Sequence, residues 1–199
     1  MGFVARIMKW ALVTFFKLQG WTVEGVAPTP RKFVIIAAPH TSNWDFVYFL
    51  GAADALNLKL SFMGKASLFR WPFEKLMKDL GGVPIDRSQS RDTVQAMADE
   101  FARRDEFMLT IAPEGTRGKA GGWKTGFYNI ALKAGVPMVP GFMDYKRKVV
   151  GLGPAMFPSG DYEKDLAVLA AFYAPVTPRH PELKTILQAG SAPGNNDVG

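Results

Sequence analysis

Apolar positions along the chain come in short solid blocks, separated by longer stretches with helical spacing. Phe33-Val34-Ile35-Ile36-Ala37-Ala38 is unbroken, and Phe107-Met108-Leu109-Thr110-Ile111-Ala112 is nearly so. Runs of this length read as strands buried on both faces. Leu60 to Gly64, ending at Lys65, reads as another strand, and Gly81 to Arg87 as a short one with a polar end. Val136 to Tyr145 reads as a strand with Lys148 to Leu152 paired beside it, and Trp21 to Gly25 alternates as an edge strand does. Helical spacing fills the intervals Asp45 to Leu58, Ser67 to Leu80, Ser88 to Arg104, Trp123 to Ala134 and Asp161 to Tyr173. Gly135 is a suitable C-terminal stop for the fourth of these. Strands alternating with helices predict an α/β fold: one domain, a mostly parallel sheet, helices flanking it.

The first segment departs from this rhythm. Gly2 to Gln19 is mostly apolar, and its cations Arg6, Lys9 and Lys17 fall on one side of a helix, with Thr14 at the margin. A membrane span needs about 20 apolar residues with few charges, and a signal peptide carries its cations ahead of the apolar run. Neither pattern fits. Residues 1–20 are expected to form an amphipathic helix lying in the membrane interface; the alternative is a helix packed on the protein's own core. Residues 21–189 form the remaining domain, and the small, polar stretch 190–199 is expected to be a disordered tail.

Composition narrows the chemistry. The 199 residues suit one domain with a real core. There is no cysteine, which removes disulfides, thiolate metal sites and cysteine nucleophiles together. With only two histidines, a catalytic zinc is not expected, and no metal or cofactor is assigned. The net charge of +6 suits anionic partners. Nucleic acid is not among the expected partners, because the basic residues are scattered rather than gathered in a stripe.

The candidate chemistry lies at strand ends, the edge where open α/β sheets collect ligands. His40 follows the Phe33–Ala38 run, and Asp45 sits in the first turn of the next helix. A carboxylate there can fix the imidazole tautomer and orient it as a base. Read alone, His40 is equally a capping or core histidine. Lys65, Arg87 and the turn Glu114-Gly115-Thr116-Arg117 end other strands, so three cations converge on the same edge. A base beside fixed positive charge suits attack by a hydroxyl on an anionic substrate. The plainer readings are solvated side chains for Lys65, Arg87 and Arg117, and a loop-fixing ion pair for Glu114. Ser42 lacks the glycine-flanked elbow of a hydrolase nucleophile and reads as an N-cap.

These residues resemble a known family, the glycerophospholipid acyltransferases of the 1-acylglycerol-3-phosphate type. His40-Thr41-Ser42-Asn43-Trp44-Asp45 is similar to the family's first block, Gly82 to Arg87 to its second, Pro113 to Arg117 to its third and Val136 to Pro140 to its fourth. The resemblance implies that residues 21–189 are an acyltransferase domain, with His40 as general base and Asp45 as its orienting partner. It implies direct attack of a lysolipid hydroxyl on an acyl-CoA or acyl carrier protein thioester, with no acyl-enzyme. Arg87 and the Glu114–Arg117 turn would hold the acceptor headgroup, and backbone N–H groups near the glycines would meet the oxyanion. The acceptor stays open between 1-acylglycerol-3-phosphate and a lyso-aminolipid such as lyso-ornithine lipid, since Pro84 and the glycine-rich Gly118–Gly122 depart from the family pattern. With the first helix, the resemblance also implies a monotopic protein on the cytoplasmic face of a bilayer with anionic headgroups. Two other readings stand beside it: a non-enzymatic module binding anionic lipid, and a serine ester hydrolase dependent on Ser42.

Overall fold

The computed structural model describes residues 3–29, 31–85, 90–118, 121–185 and 187. In chain order the elements are α1 (Phe3–Leu18), β1 (Thr22–Glu24), β2 (Lys32–Ala37), α2 (Trp44–Ala55), β3 (Leu60–Lys65), α3 (Glu74–Asp79), β4 (Gly82–Ile85), α4 (Ser90–Arg103), β5 (Phe107–Ile111), α5 (Gly126–Ala134), β6 (Met138–Asp144), β7 (Val149–Leu152) and α6 (Tyr162–Tyr173). Short 3₁₀ turns cover Ala66–Phe69 and Pro181–Leu183.

Seven strands form one sheet in the order β1-β7-β6-β2-β5-β3-β4. The five from β6 to β4 run parallel, so their carboxyl ends share one edge. β7 is antiparallel to β6, and β1 is parallel to β7. The reversal follows from chain length: residues 145–148 are too few for the crossover that a parallel return needs. Asp144 closes that turn, accepting Lys146 N–H and Arg147 N–H at 3.0 Å each and the Arg147 Nε–H at 2.8 Å. Trp21 to Gly25 does form the edge strand its alternation predicts.

β2 is the middle strand of the seven and is sealed on both faces. Phe33, Val34, Ile35 and Ile36 are fully buried. Val34 and Ile36 face a core built from α4, α5 and α6, through Met97, Phe101, Phe127, Ile130, Leu169 and Tyr173. Phe33 and Ile35 face the other core, with Phe16 of α1 and Tyr48, Phe49 and Ala52 of α2. Truncating one of these large side chains to Ala costs about 2–5 kcal/mol. Gly51 lets α1 seat on α2, because a Cβ there would stand 2.4 Å from Phe16 Cβ.

One expectation fails. The spacing from Ser67 to Leu80 predicts a single helix; the chain instead makes a 3₁₀ turn, a break around the cis Trp71–Pro72 bond, and the six-residue α3. Pro72 has no N–H for the helical ladder and disfavours helical backbone at the residue before it. The helix expected from Trp123 starts only at Gly126, leaving Trp123 as a buried core residue ahead of it. The expected tail 190–199 lies outside the described residues, as do Asp86 to Gln89.

α1 is an amphipathic helix with two differently used faces. Val13 and Phe16 are buried against the domain, whereas Phe3, Ile7, Trp10 and Leu18 are exposed. Among the described residues, no helix is long and apolar enough to cross a membrane.

Candidate active site

β2 pairs with β5 on one side and β6 on the other, so residues just past these three strands meet. They are His40, Glu114 and Tyr145. Past β2 the chain turns through Pro39 and His40 and enters α2, whose first turn holds Asp45. Asp45 is 2% exposed. Its Oδ2 accepts the backbone N–H groups of Thr41 and Ser42 at 2.9 Å each, and stands 3.1 Å from His40 Nδ1. Its Oδ1 accepts the Tyr145 hydroxyl at 2.7 Å. Two peptide donors point at Oδ2 because the chain folds tightly around the start of α2; Asp45 N–H donates to Ser42 O at 3.3 Å. An aspartate early in a helix is also favoured by the helix dipole.

With Nδ1 as the donor to Asp45, the neutral imidazole carries its lone pair on Nε2. The His40 side chain is 24% exposed, so the ring is not sealed from a ligand. Glu114 fixes the same residue from below. Its Oε2 accepts His40 N–H at 2.8 Å, and the carboxyl is 5% exposed. Burial pushes the Glu114 pKa up to about 7, against the opposing effects of the His40 N–H and imidazole.

The turn after β5 continues with Gly115 in the left-handed region at φ +67. A side chain there would be strained, and it would also press on Lys124, whose Cε lies 3.1 Å from the Cβ position. Thr116 Oγ1 accepts Gly118 N–H at 3.2 Å, and Gly115 to Gly118 are exposed. Arg117 donates to Asn43 Oδ1, so this turn is tied to the residue just before α2.

The structure therefore brings together His40, Asp45, Glu114 and the Gly115–Arg117 turn. Glu114 lies under His40 rather than in the exposed part of the turn. Lys65 ends β3 at the same sheet edge, but its side chain is outside the described parts, and Arg87 lies wholly outside the described residues. Ser42 Oγ accepts Trp44 N–H at 3.2 Å, a local bond at the start of α2. His180, in the loop after α6, donates its N–H to Thr41 Oγ1 at 3.3 Å, and its Nδ1 lies 3.5 Å from Glu182.

Sequence reasoning missed three residues. Tyr145 is 100 positions from Asp45, and no local pattern links them. Lys124 was hidden in a segment read as helix. Arg179 sits in the segment after α6, with its guanidinium 5.5 Å from the Trp44 ring centre. The strand-end position of Tyr145 was the one available signal.

A groove of about 510 Å³ opens elsewhere, lined by Lys32, Ala98, Phe101, Val136 and Pro137 among others. It lies at the amino ends of β2 and β6, the opposite edge from His40.

Fold and site together define an α/β domain with a histidine–aspartate pair seated where its central parallel strands end. The chain belongs to the acyltransferase family: the model of the Acyltransferase family matches residues 20–144, which include His40, Asp45 and the Glu114–Arg117 turn. It is similar to the 1-acyl-sn-glycerol-3-phosphate acyltransferase of Salmonella typhimurium, 34% identical over 113 residues, 53% of this chain and 44% of that protein. The Escherichia coli protein of the same name is 32% identical over 133 residues, 62% of this chain and 53% of that one. The chain thus spans about half the length of these relatives. Among solved structures, the 1-acyl-sn-glycerophosphate (LPA) acyltransferase from Thermotoga maritima matches with a TM-score of 0.54 at 20% identity, over 81% of this chain and 74% of that one. At that identity the likeness establishes the fold.

Proposed function

We infer that this protein is a lysolipid O-acyltransferase of membrane-lipid synthesis. It moves a fatty acyl group from acyl-CoA or acyl carrier protein to a free hydroxyl of a lysolipid. The reading rests on one observation above others: the only nitrogen of His40 left for a ligand is Nε2, because Nδ1 is engaged by Asp45. The acceptor hydroxyl gives its proton to Nε2 as its oxygen attacks the thioester carbonyl. The tetrahedral intermediate collapses, the C–S bond breaks, and the thiolate leaves with the proton returned from His40. Asp45 orients the ring and stabilises its charged form during the transfer. No enzyme nucleophile is needed, in keeping with the absence of cysteine and the local role of Ser42.

The acceptor we favour is 1-acylglycerol-3-phosphate, the substrate named for the relatives; lyso-ornithine lipid and other lyso-aminolipids are the alternatives. Arg117, with Lys124 and Arg179, supplies cations around the start of α2 for an anionic headgroup. The protein works peripherally, on the cytoplasmic face of a bilayer. The exposed Phe3, Ile7, Trp10 and Leu18 of α1 and the exposed Trp71 and Phe73 support that placement.

The test is thiol release from acyl-CoA and acyl carrier protein across a panel of lysolipids, with His40→Ala alongside. Release that depends on one acceptor, and falls about 10²–10⁴-fold in His40→Ala, is the expected result. Release without any acceptor, lost in Ser42→Ala, would establish a hydrolase. No release with any donor and acceptor pair would leave a lipid-binding module.

A further inference from the structure

Tyr145 stands one residue past the stretch that the family model matches. It directly follows β6, and its hydroxyl is the partner of the Asp45 oxygen that His40 does not use. We propose that Tyr145 is a positioning residue for catalysis, the third member of a His40–Asp45–Tyr145 relay. This rests on His40 acting as the base.

The geometry assigns the two carboxylate oxygens different duties. Oδ2 takes His40 Nδ1 and two peptide N–H groups, all from residues 40 to 42. Those three donors come from one loop and move with it. Oδ1 takes a single hydroxyl, from the residue that follows β6. A carboxylate held at one oxygen can swing about its Cβ–Cγ bond; held at both, it keeps Oδ2 aimed at the imidazole. The Tyr145 hydroxyl therefore references the loop to the sheet.

Tyr145 is well made for that duty. Its backbone N–H donates to Thr177 O at 2.8 Å. Its ring meets Trp21 edge-on at 5.0 Å and Tyr48 at 5.9 Å, while Trp21 and Tyr48 stack at 4.5 Å. The ring is thus fixed by packing that does not involve its hydroxyl. Burial first, and then the neighbouring Asp45, hold the phenol far above its ordinary pKa, so the hydroxyl keeps its proton and remains a donor. The bond it makes is short and part-buried, and its acceptor, Asp45, is buried, so losing the donor leaves that carboxylate oxygen short of a partner.

The test compares Tyr145→Phe, Asp45→Asn, their double variant and His40→Ala in the thiol-release assay. Tyr145→Phe keeps the ring contacts and removes only the bond to Asp45. It should lower kcat about tenfold, leave KM for donor and lysolipid within about twofold, and shift the melting temperature by no more than a few degrees. In the Asp45→Asn background the same change should cost nothing further, because the two residues act through one hydrogen bond. Independently of turnover, the downfield proton resonance of His40 Nδ1–H should shift or broaden in Tyr145→Phe. Wild-type kcat and an unmoved resonance in Tyr145→Phe, with His40→Ala inactive, would overturn the assignment and leave the base intact. An equal loss in both backgrounds would reduce Tyr145 to a structural residue. Wild-type turnover in His40→Ala would instead remove the base itself, and the relay with it.

Discussion

His40 and Arg117 both follow a central strand, β2 and β5, yet they are held in opposite ways. His40 is tied at its backbone by Glu114 and at its ring by Asp45, which in turn is held by the Thr41 and Ser42 N–H groups and the Tyr145 hydroxyl. Arg117 is exposed and tied to Asn43 in a glycine-containing turn. The inner region is over-determined, so its geometry survives without substrate. The rim is held by fewer bonds, which would let Arg117 adjust to a headgroup. On the proposed function, reaction and specificity would be carried by different parts of one sheet edge, and rim changes should alter affinity more than rate.

Outside His40 itself, the largest effect is expected at Glu114. An acid whose pKa is raised on folding keeps its proton in the native state after the unfolded chain has lost it. Stability therefore falls as pH rises from about 4.5 to about 7, and above that the loss is constant, on the order of 3 kcal/mol. Glu114→Gln does not titrate and retains an oxygen to accept His40 N–H. Its melting temperature should match wild type near the bottom of that window and exceed it progressively toward the top. Parallel melting curves across the window would show that Glu114 is not desolvated as described.

Arg117→Ala should raise KM for an anionic lysolipid about tenfold and change kcat little, since on the proposed function it would remove a charged contact to the headgroup and leave His40 untouched. A fall in kcat with unchanged KM would erase the contrast between rim and pocket. The smallest effect is expected on the apolar rim. Replacing the exposed Trp71 and Phe73 with Ser should weaken flotation with anionic liposomes several-fold, because each would bury part of its surface in the interface. Unchanged flotation would remove this stretch from the membrane contact.

Much of this was legible in the sequence because the information is local. The solid apolar runs around Ile35 and Leu109 mark strands sealed on both faces, and the five-residue step from His40 to Asp45 is enough to place an acid beside an imidazole across a helix start. What was not legible depends on the sheet order. Tyr145 reaches Asp45 because β6 lies next to β2, a neighbour relation no window of sequence carries. Glu114 resembles any loop acid beside an arginine; its burial under His40 arises from β5 flanking β2 on the other side. Pro72 was visible, but helical spacing on both sides outweighed it, and the chain broke there. Arg87 and the Lys65 side chain lie outside the described parts of the structure.

The proposed mechanism depends on which nitrogen of His40 is free. Long-range nitrogen–proton correlation spectra of the imidazole rings, recorded at about pH 8.5 where an ordinary histidine is neutral, read this directly, with His180→Gln to assign the two histidines. That mechanism requires His40 to carry its proton on Nδ1, with Nε2 as the bare, acceptor nitrogen. A His40 ring protonated on Nε2, with Nδ1 bare toward Asp45, would contradict it.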